Sequence, residues 1–190
     1  MSKRHIKPNT TLFPVPVVLV TAGDGDDANV ATINRISSCN AEPPMIAISV
    51  RPGRHTHTLI EQTGEFVVNI PAPGMDALTD YVGVTTGREE AKWEARGLTP
   101  TPASAVGAPL IAECPVHLEC RVVEQVKLPS HSLFIAEVVA IQADEDALRE
   151  DGEIDMGRVP GMIYASSAVR ERPVEKVRVD ELRERLTGGA

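Results

Sequence analysis

The chain has 190 residues, of which 42% are hydrophobic and 24% charged, and its formal net charge is −8. This length is sufficient for one domain whose hydrophobic core needs no disulfide bonds. The acidic balance argues against nucleic acid or an anionic membrane as a partner, because either needs a basic face, although a small anion could bind where cations cluster locally.

Short strand-like segments dominate the chain. The predicted strands are 15–21, 28–34, 44–50, 65–70, 116–126 and 132–142. Several of these segments are almost entirely apolar, whereas 116–126 begins with alternating polar and apolar residues, and turn-forming residues separate them. This mixture predicts a mainly β barrel or sandwich closed around one core.

Helical patterns are fewer and shorter. Thr58 and Glu61 have the spacing of a capping box and Gly64 is a typical helix stop, so a helix of about two turns is predicted between them. Further helices are predicted at 75–82, 89–96 and 179–186. The segment 97–115 is rich in Pro and Ala and is interpreted as a loop that crosses the surface. We find no repeat and no domain boundary.

Neither a membrane span nor an export signal is evident in the sequence. No stretch approaches the roughly 20 apolar residues that a spanning helix needs, and Pro14 and Pro16 interrupt the apolar part of the basic N-terminus. Cys39, Cys114 and Cys120 form an odd set without CxxC spacing. The last two are interpreted as packed core thiols, with a redox pair as the alternative, and Cys39 as a small packed side chain. We therefore predict a cytoplasmic protein.

A cationic turn follows the third predicted strand. Arg51, Arg54, His55 and Thr56 lie between the end of that strand and the predicted helix. A helix start offers free backbone N–H groups to an anion, and the planar guanidinium of Arg suits a phosphate. From these residues alone, a solvated turn with two surface arginines remains the alternative.

A second cluster consists of neutral polar side chains on and after the second predicted strand. Its members are Asn29, Thr32, Asn34, Ser37, Ser38 and Asn40. Side chains of this kind could hydrogen-bond a flat heteroaromatic ligand, since buried polar groups must be paired. The alternative is a polar edge strand with an Asx-rich loop.

Metal-binding patterns are incomplete. The acidic stretch at 24–27 could begin a calcium loop, but its sixth position is Asn29 instead of Gly and its twelfth is Arg35 instead of Glu. We interpret it as a hairpin turn. His55 and His57 have no second pair at ligand spacing, so we predict no metal site.

Taken in order, six segments resemble the flavin reductase-like family. They are PVPVVLVTA (14–22), ANVATINRISSC (28–39), PPMIAISVRPGRHT (43–56), GEFVVNIP (64–71), KWEARGLT (92–99) and SHSLFIAEVV (130–139). The family comprises FMN-binding split barrels, including flavoredoxins, ferric reductases and the reductase components of two-component monooxygenases. The resemblance covers about 14–142 and a strand at 162–164.

The resemblance implies a mainly β fold, an FMN-binding split β-barrel with short flanking helices. It further implies one domain over residues 1–190 with its core at about 12–168. The tail, 169–190, is expected to pack on the partner in a homodimer, and loops such as 97–115 often cross to the partner in this family.

The resemblance also implies the flavin site. The matching positions are Asn29, Thr32, Ile33, Asn34, Arg35, Ser49, Val50, Arg51, Arg54, His55, Thr56, Lys92, His131 and Tyr164. The turn at 54–56 would hold the FMN phosphate, with Arg51 nearby. Residues 29–34, with Ser49 and Val50 of the neighbouring strand, would line the ribityl chain and the isoalloxazine.

Two of these positions would be catalytic. Lys92 would reach the flavin from a loop, and its charge would raise the reduction potential by countering the negative charge of the reduced ring. His131 would orient the nicotinamide or the acceptor, or supply a proton. Tyr164 would pack near the cofactor. Arg35 occupies a position where flavoredoxin-like members more often carry a bulky aromatic residue, which bears on the donor or partner.

The activity implied is NAD(P)H-dependent reduction of bound FMN, with electrons passed to free flavin, ferric iron or a protein partner. NAD(P)H would stack on the flavin from the solvent side. Two alternatives stay open: a flavoredoxin-like electron carrier that does not oxidise NAD(P)H itself, and a ligand-binding barrel without turnover.

Overall fold

The computed structural model describes residues 3–10, 12, 14–88, 92–165 and 168–171. The predicted helix at 179–186 and most of the predicted tail at 169–190 lie outside these residues, as do residues 89–91 of the predicted third helix. Of the helices that the structure describes, none is both long and apolar enough to cross a bilayer.

The chain is built mainly from β-strands. The strands are β1 (Val15–Ala22), β2 (Asn29–Ile33), β3 (Ile36–Asn40), β4 (Met45–Val50), β5 (Glu65–Ile70), β6 (Pro100–Thr101), β7 (Leu110–Ile111), β8 (Val116–Lys127), β9 (Ser132–Ala143), β10 (Met162–Ala165) and β11 (Ala168–Glu171). The helices are α1 (His55–Thr63), α2 (Asp76–Val84) and α3 (Lys92–Arg96). Each of the six predicted strands is present, with ends within one residue of those predicted.

The main sheet is antiparallel and follows the order β11-β10-β1-β5-β8-β9-β4-β3, with β2 also paired to β1. Because β2 contacts β4 across the fold, the sheet curls around one apolar core. Val20, Ile48, Phe66 and Phe134 are buried at its centre, and α1 adds Leu59 and Ile60 to the same cluster. A short connection with a 3₁₀ turn at Gly25–Asp27 joins β1 to β2, which pair as antiparallel strands. The hairpin turn predicted at 24–27 is therefore confirmed.

The strand β3 was not among the six predicted strands, but it matches the alternative of a polar edge strand. Its residues are mostly exposed, and it pairs with β4 at the end of the main sheet. An edge strand with both faces open to water has no apolar alternation, so periodicity alone does not reveal it. Part of the polar cluster, at 37–40, therefore forms a polar edge strand and not a ligand wall.

The helix α1 begins earlier than predicted. Thr58 and Glu61 lie inside the helix, so the capping-box interpretation is wrong. The helix starts at His55, directly after the turn that Arg51 and Arg54 occupy. The predicted stop is confirmed: Gly64 has a left-handed backbone with φ 69°, and its N–H donates to the Ile60 carbonyl. The first N–H groups of the helix, which have no i−4 partner within it, therefore lie at the cationic turn; that of His57 donates to the Arg54 carbonyl at 3.1 Å.

The segment 97–115 packs on its own barrel. It contains the short β6–β7 pair, and it buries Ala108 and Leu110 against Val67 of β5. The buried carboxylate of Glu119 in β8 accepts hydrogen bonds from the backbone N–H and hydroxyl of Ser104 at 3.0 and 2.6 Å. This segment is thus a surface loop, as predicted, with a polar anchor.

The cysteines differ in environment. Cys114 and Cys120 are free and buried in two different apolar clusters, and burial raises the pKa of each thiol to about 12. They are packed core thiols, and a redox pair is not formed. Cys39 is exposed on β3, so the expectation of a packed side chain there is wrong.

Candidate functional site

A cavity of about 410 Å³ lies where β2, the end of β4, the start of α1 and the helix α2 meet. All of the positions predicted for the flavin site line this cavity: Asn29, Thr32, Ile33, Asn34, Arg35, Ser49, Val50, Arg51, Arg54, His55, Thr56, Lys92, His131 and Tyr164. Its volume is within the range of ligand-binding clefts. Residues spread over much of the chain are therefore brought to one concave surface.

One end of the cavity is formed by the cationic turn and the start of α1. Thr56 is buried there, and its hydroxyl oxygen accepts a hydrogen bond from the Asn29 side-chain amide at 2.7 Å. Because a hydroxyl carries one donor and two acceptor sites, the proton of Thr56 stays available for an anion. Arg54 is exposed at the same end, and Arg51, at the start of the turn, is exposed and acts electrostatically on His131. This end combines helix N–H groups, hydroxyl and guanidinium donors.

The opposite wall comes from α2 and the turn after it, which the sequence analysis did not assign to the site. The lining residues of this wall are Thr79, Asp80, Val82, Gly83, Val84, Thr85, Thr86 and Gly87. Val17 of β1 and Ala31 of β2 also line the cavity. A Cβ on Gly83 would meet the Thr32 Cβ at 3.2 Å, and one on Gly87 would meet Asn29 Oδ1 at 1.9 Å. The signal in the sequence is the pair Gly83 and Gly87, whose missing side chains allow this close approach to β2.

Two threonines fix α2 against β2. The Thr32 hydroxyl donates to the Thr79 carbonyl at 2.5 Å. The Thr79 hydroxyl oxygen is fully buried beside the cavity and, among the described residues, has no hydrogen-bond partner. Because an unpaired buried hydroxyl is costly, this atom is a candidate contact for a polar ligand.

Lys92 carries a buried positive charge at the cavity. Its side chain is 4% exposed, and its Nζ donates to the carbonyls of Val30 at 3.0 Å and Val82 at 2.9 Å. These bonds join α3 to both β2 and α2. Lys92 is therefore held in place by the backbone, so that its charge has a defined position.

His131 lies in the tight turn that connects β8 to β9, just before β9 begins. The Leu128 N–H donates to its carbonyl at 2.9 Å, and its Nδ1 is 2.9 Å from the Ser130 hydroxyl. Partial burial and the positive charges of Arg35 and Arg51 lower the pKa of His131. The neutral imidazole is thereby favoured, which makes His131 better suited to orienting a ligand by hydrogen bonds than to bearing a charge.

Apolar side chains complete the lining. Ile33 and Val50 belong to the barrel core and form part of the floor. Tyr164 on β10 packs with Val17 and Met162 at the other side. A ring-shaped ligand can therefore find apolar contacts along with the polar groups.

A polar chain behind the cavity was not predicted. His57 is buried in α1; its Nε2 is 2.8 Å from the Ser132 hydroxyl and its Nδ1 3.4 Å from a Glu61 carboxylate oxygen. A hydrogen bond from Gln125 lowers the pKa of Glu61, so this carboxylate stays ionised. Although the order Ser–His–carboxylate resembles a hydrolytic triad, Ser132 is only 3% exposed. These hydrogen-bonded side chains join α1 to the start of β9. They thereby connect the cationic turn, which precedes α1, with the turn of His131, which precedes β9.

The cavity fits FMN on its own features. The cationic turn and helix start suit a phosphate, whereas the neutral polar groups of β2 and the unpaired Thr79 hydroxyl suit a polar ring and chain. For the described part of the chain, no three His, Cys, Asp or Glu side chains lie close enough together to hold a metal ion.

Comparisons with known proteins agree with this geometry. The chain matches the family described as "Flavin reductase like domain" over residues 10–171. It is similar to the solved structure of the flavoredoxin of Desulfovibrio vulgaris (Miyazaki F), with 30% identity, a TM-score of 0.85, and coverage of 93% of this chain and 97% of that chain.

Two further proteins extend the comparison. A split-barrel protein from Shewanella frigidimarina has a TM-score of 0.77 at 24% identity, covering 87% of this chain and 85% of that chain, a likeness that shows the fold alone. The NADPH-flavin oxidoreductase of Streptomyces viridifaciens is 28% identical over 138 residues, 72% of this chain and 70% of that protein. The predicted mainly β split barrel is thereby confirmed.

Proposed function

This chain belongs to the flavin reductase-like family of flavin-binding oxidoreductases and electron-transfer proteins, and we propose that it binds FMN in the cavity and reduces it with NAD(P)H. The electrons then pass to free flavin, ferric iron or a protein partner. The proposal extends to a homodimer of single-domain chains in which the tail at 169–190 packs on the partner.

One observation carries this proposal. The cationic turn, the neutral polar strand β2, the buried charge of Lys92 and the turn of His131 all border a single cavity. Each of these features alone has an ordinary structural explanation. Their convergence supports a phosphate-binding end, a polar and apolar middle, and a solvent-open side for a second reactant.

The protein's own groups have distinct roles in the proposed reaction. When bound, FMN supplies the redox chemistry, because it accepts a hydride equivalent and returns electrons to an acceptor. The turn at 54–56 would bind the phosphate through the helix N–H groups, the Thr56 hydroxyl and Arg54. Lys92 would stabilise negative charge in the middle of the cavity. His131, with its lowered pKa, would orient the second reactant as a neutral hydrogen-bonding group.

A specific observation favours a second candidate function. The flavoredoxin of D. vulgaris is similar over 93% of this chain. If this chain acts as an electron carrier of the flavoredoxin type, it would keep FMN bound and exchange electrons with partner proteins, without oxidising NAD(P)H.

The visible absorption spectrum of the purified protein is the first test. We expect a yellow protein, or colourless protein that quenches the fluorescence of added FMN. Anaerobic stopped-flow mixing with NADPH and NADH then separates the two functions, because the reductase bleaches and the carrier stays yellow. Protein that is colourless and leaves FMN fluorescence unchanged would instead support a ligand-binding barrel without flavin chemistry.

A further inference from the structure

Arg35, Arg51 and His131 lie on one face of the barrel at the open side of the cavity. In the antiparallel ladders, the Ser49 N–H donates to the Arg35 carbonyl at 2.9 Å, and Val50 is paired with Ser132. Extending this register by one residue sets Arg51 opposite His131.

The three residues border one cavity. Val50 and Ser132, the last residue of β4 and the first of β9, are buried. Arg51 and His131 lie directly outside these strand ends, as Arg35 lies directly before β3; both arginines are exposed, and all three residues line the cavity. Both arginines also act electrostatically on His131, which agrees with their proximity.

Three arginines elsewhere in the described chain have a neutralising carboxylate partner. Arg121, Arg149 and Arg158 each pair with a carboxylate, at 3.3, 3.0 and 3.5 Å. Within the described residues, neither Arg35 nor Arg51 forms an ion pair, although the whole chain carries a net charge of −8. The Arg35 guanidinium donates at 3.5 Å to the neutral Asn34 Oδ1, which leaves its charge uncompensated. Two guanidinium groups without a carboxylate partner at one cavity are suited to a dianionic ligand.

The phosphate of FMN does not account for the two guanidinium groups of Arg35 and Arg51. FMN carries one phosphate, and the turn at 54–56 with the start of α1 already provides donors for it. A dinucleotide donor that enters from the open side brings phosphates of its own. Of these, the 2′-phosphate of NADPH is a terminal monoester, the form that an Arg fork binds through two parallel hydrogen bonds.

We propose that Arg35 and Arg51, supported by His131, form a second anion site that binds the 2′-phosphate of NADPH and so makes NADPH the preferred electron donor. This proposal rests on the proposed function, and it assigns Arg35 a role that an aromatic residue at its position could not have.

The first experiment measures binding without turnover. The FMN-loaded protein is titrated with 2′,5′-ADP and with 5′-AMP, which lacks the 2′-phosphate, at one fixed ionic strength. We expect 2′,5′-ADP to bind about tenfold more tightly, as one charge-assisted contact allows. Arg35→Ala should bring the two affinities together, and Arg35→Lys should fall between, because it keeps the charge and loses the fork. Equal affinities in the unsubstituted protein, or an unchanged ratio in Arg35→Ala, would overturn the proposal.

The second experiment measures donor preference. The ratio of kcat/KM for NADPH to that for NADH should fall about tenfold in Arg35→Ala. Arg149→Ala removes an arginine outside the cavity lining and should leave the ratio unchanged. An equal fall of this ratio in both variants would show that the preference for NADPH depends on overall charge, and it would refute the proposed anion site. If neither nucleotide reduces bound FMN, the proposed donor activity fails, whereas the fragment titration still decides the anion site.

Discussion

At the scale of single residues, Thr56 combines a structural bond with a free donor. Its oxygen accepts from Asn29 at 2.7 Å, while its proton can bind an anion. Thr56→Ala should weaken FMN binding about tenfold, as for the loss of one hydrogen bond to a charged group. Fluorescence titration with FMN measures this, and Thr56→Ser, which keeps the hydroxyl, should bind nearly as the original protein does. Equal affinity of the alanine variant would exclude Thr56 from the phosphate site.

Lys92 provides the second prediction for a single residue. Lys92→Gln removes the charge but keeps N–H donors for the Val30 and Val82 carbonyls. Because a buried cation stabilises negative charge on reduced flavin, the potential of bound FMN should fall by some tens of millivolts, where 30 mV corresponds to about 1.4 kcal/mol for two electrons. Potentiometric titration measures the shift. Lys127→Gln, on the exposed end of β8, is the control, and equal potentials in both variants would contradict the role of Lys92.

At the scale of secondary-structure elements, the buried contact between His57 and Ser132 joins α1 to β9. His57→Ala should lower the free energy of unfolding by about 2–3 kcal/mol, because it opens a cavity and leaves the Ser132 hydroxyl unpaired. Chemical denaturation measures this change. In a double-mutant cycle with Ser132→Ala, the two losses should not add, since the second substitution removes the group that the first leaves unpaired. Additive losses would show that the contact carries no coupling.

The anchor of the segment 97–115 has its own pH dependence. Burial alone would raise the pKa of Glu119, but hydrogen bonds from Ser104, Gln142 and Ala105 outweigh it and lower the pKa to about 2. Since the folded pKa lies below the ordinary value of 4.5, the carboxylate stabilises the fold above pH 4.5. That contribution is lost as the pH falls from 4.5 towards 2.

Substitution of Glu119 tests this dependence. Glu119→Gln should cost about 1.5–3 kcal/mol at neutral pH, as expected for hydrogen bonds to a charged group. The difference from the original protein should shrink as the pH falls below 4.5. Urea denaturation at several pH values measures it. Glu124→Gln changes an exposed carboxylate on the same strand and should have little effect at any pH; a pH-independent loss in Glu119→Gln would refute the charged anchor.

At the scale of the whole molecule, the proposed homodimer makes a direct prediction. Large apolar side chains remain exposed on the described surface, among them Val84, Val123 and Ile141. Closed two-fold pairs are the commonest soluble assembly. Light scattering after size exclusion should give about twice the 20.4 kDa of one chain, and deletion of the tail at 169–190 should shift the mass towards one chain. A single-chain mass for the full protein would disprove the dimer.

The distribution of charge is also a property of the whole molecule. The chain is acidic, yet one cavity is lined by four cationic residues, Arg35, Arg51, Arg54 and Lys92. Among the described residues that line this cavity, one is acidic, Asp80. Local cation clusters attract anionic ligands even on an acidic protein, since screening limits repulsion from distant carboxylates to about one Debye length. An acidic net charge therefore does not exclude a phosphorylated cofactor.

The sequence by itself determined the six main strands and the cationic turn, whereas the predicted site residues came from the family resemblance. Runs of apolar residues and turn-forming residues are local features, so they can be read without knowledge of the fold. The family resemblance then joined these features into one site. The start of α1 was predicted wrongly, and the exposed edge strand β3 was left as one of two alternatives, because neither feature is marked by local periodicity.

Only the tertiary structure decided which side chains meet. The bond between Asn29 and Thr56 spans 27 positions, and that between His57 and Ser132 spans 75. Three other features also result from the tertiary structure. They are the close approach of Gly87 to Asn29, the unpaired hydroxyl of Thr79 and, among the described residues, the absence of a carboxylate partner for Arg35. Each depends on how the sheet closes and how α2 packs across it, and a local pattern carries no information about such distances.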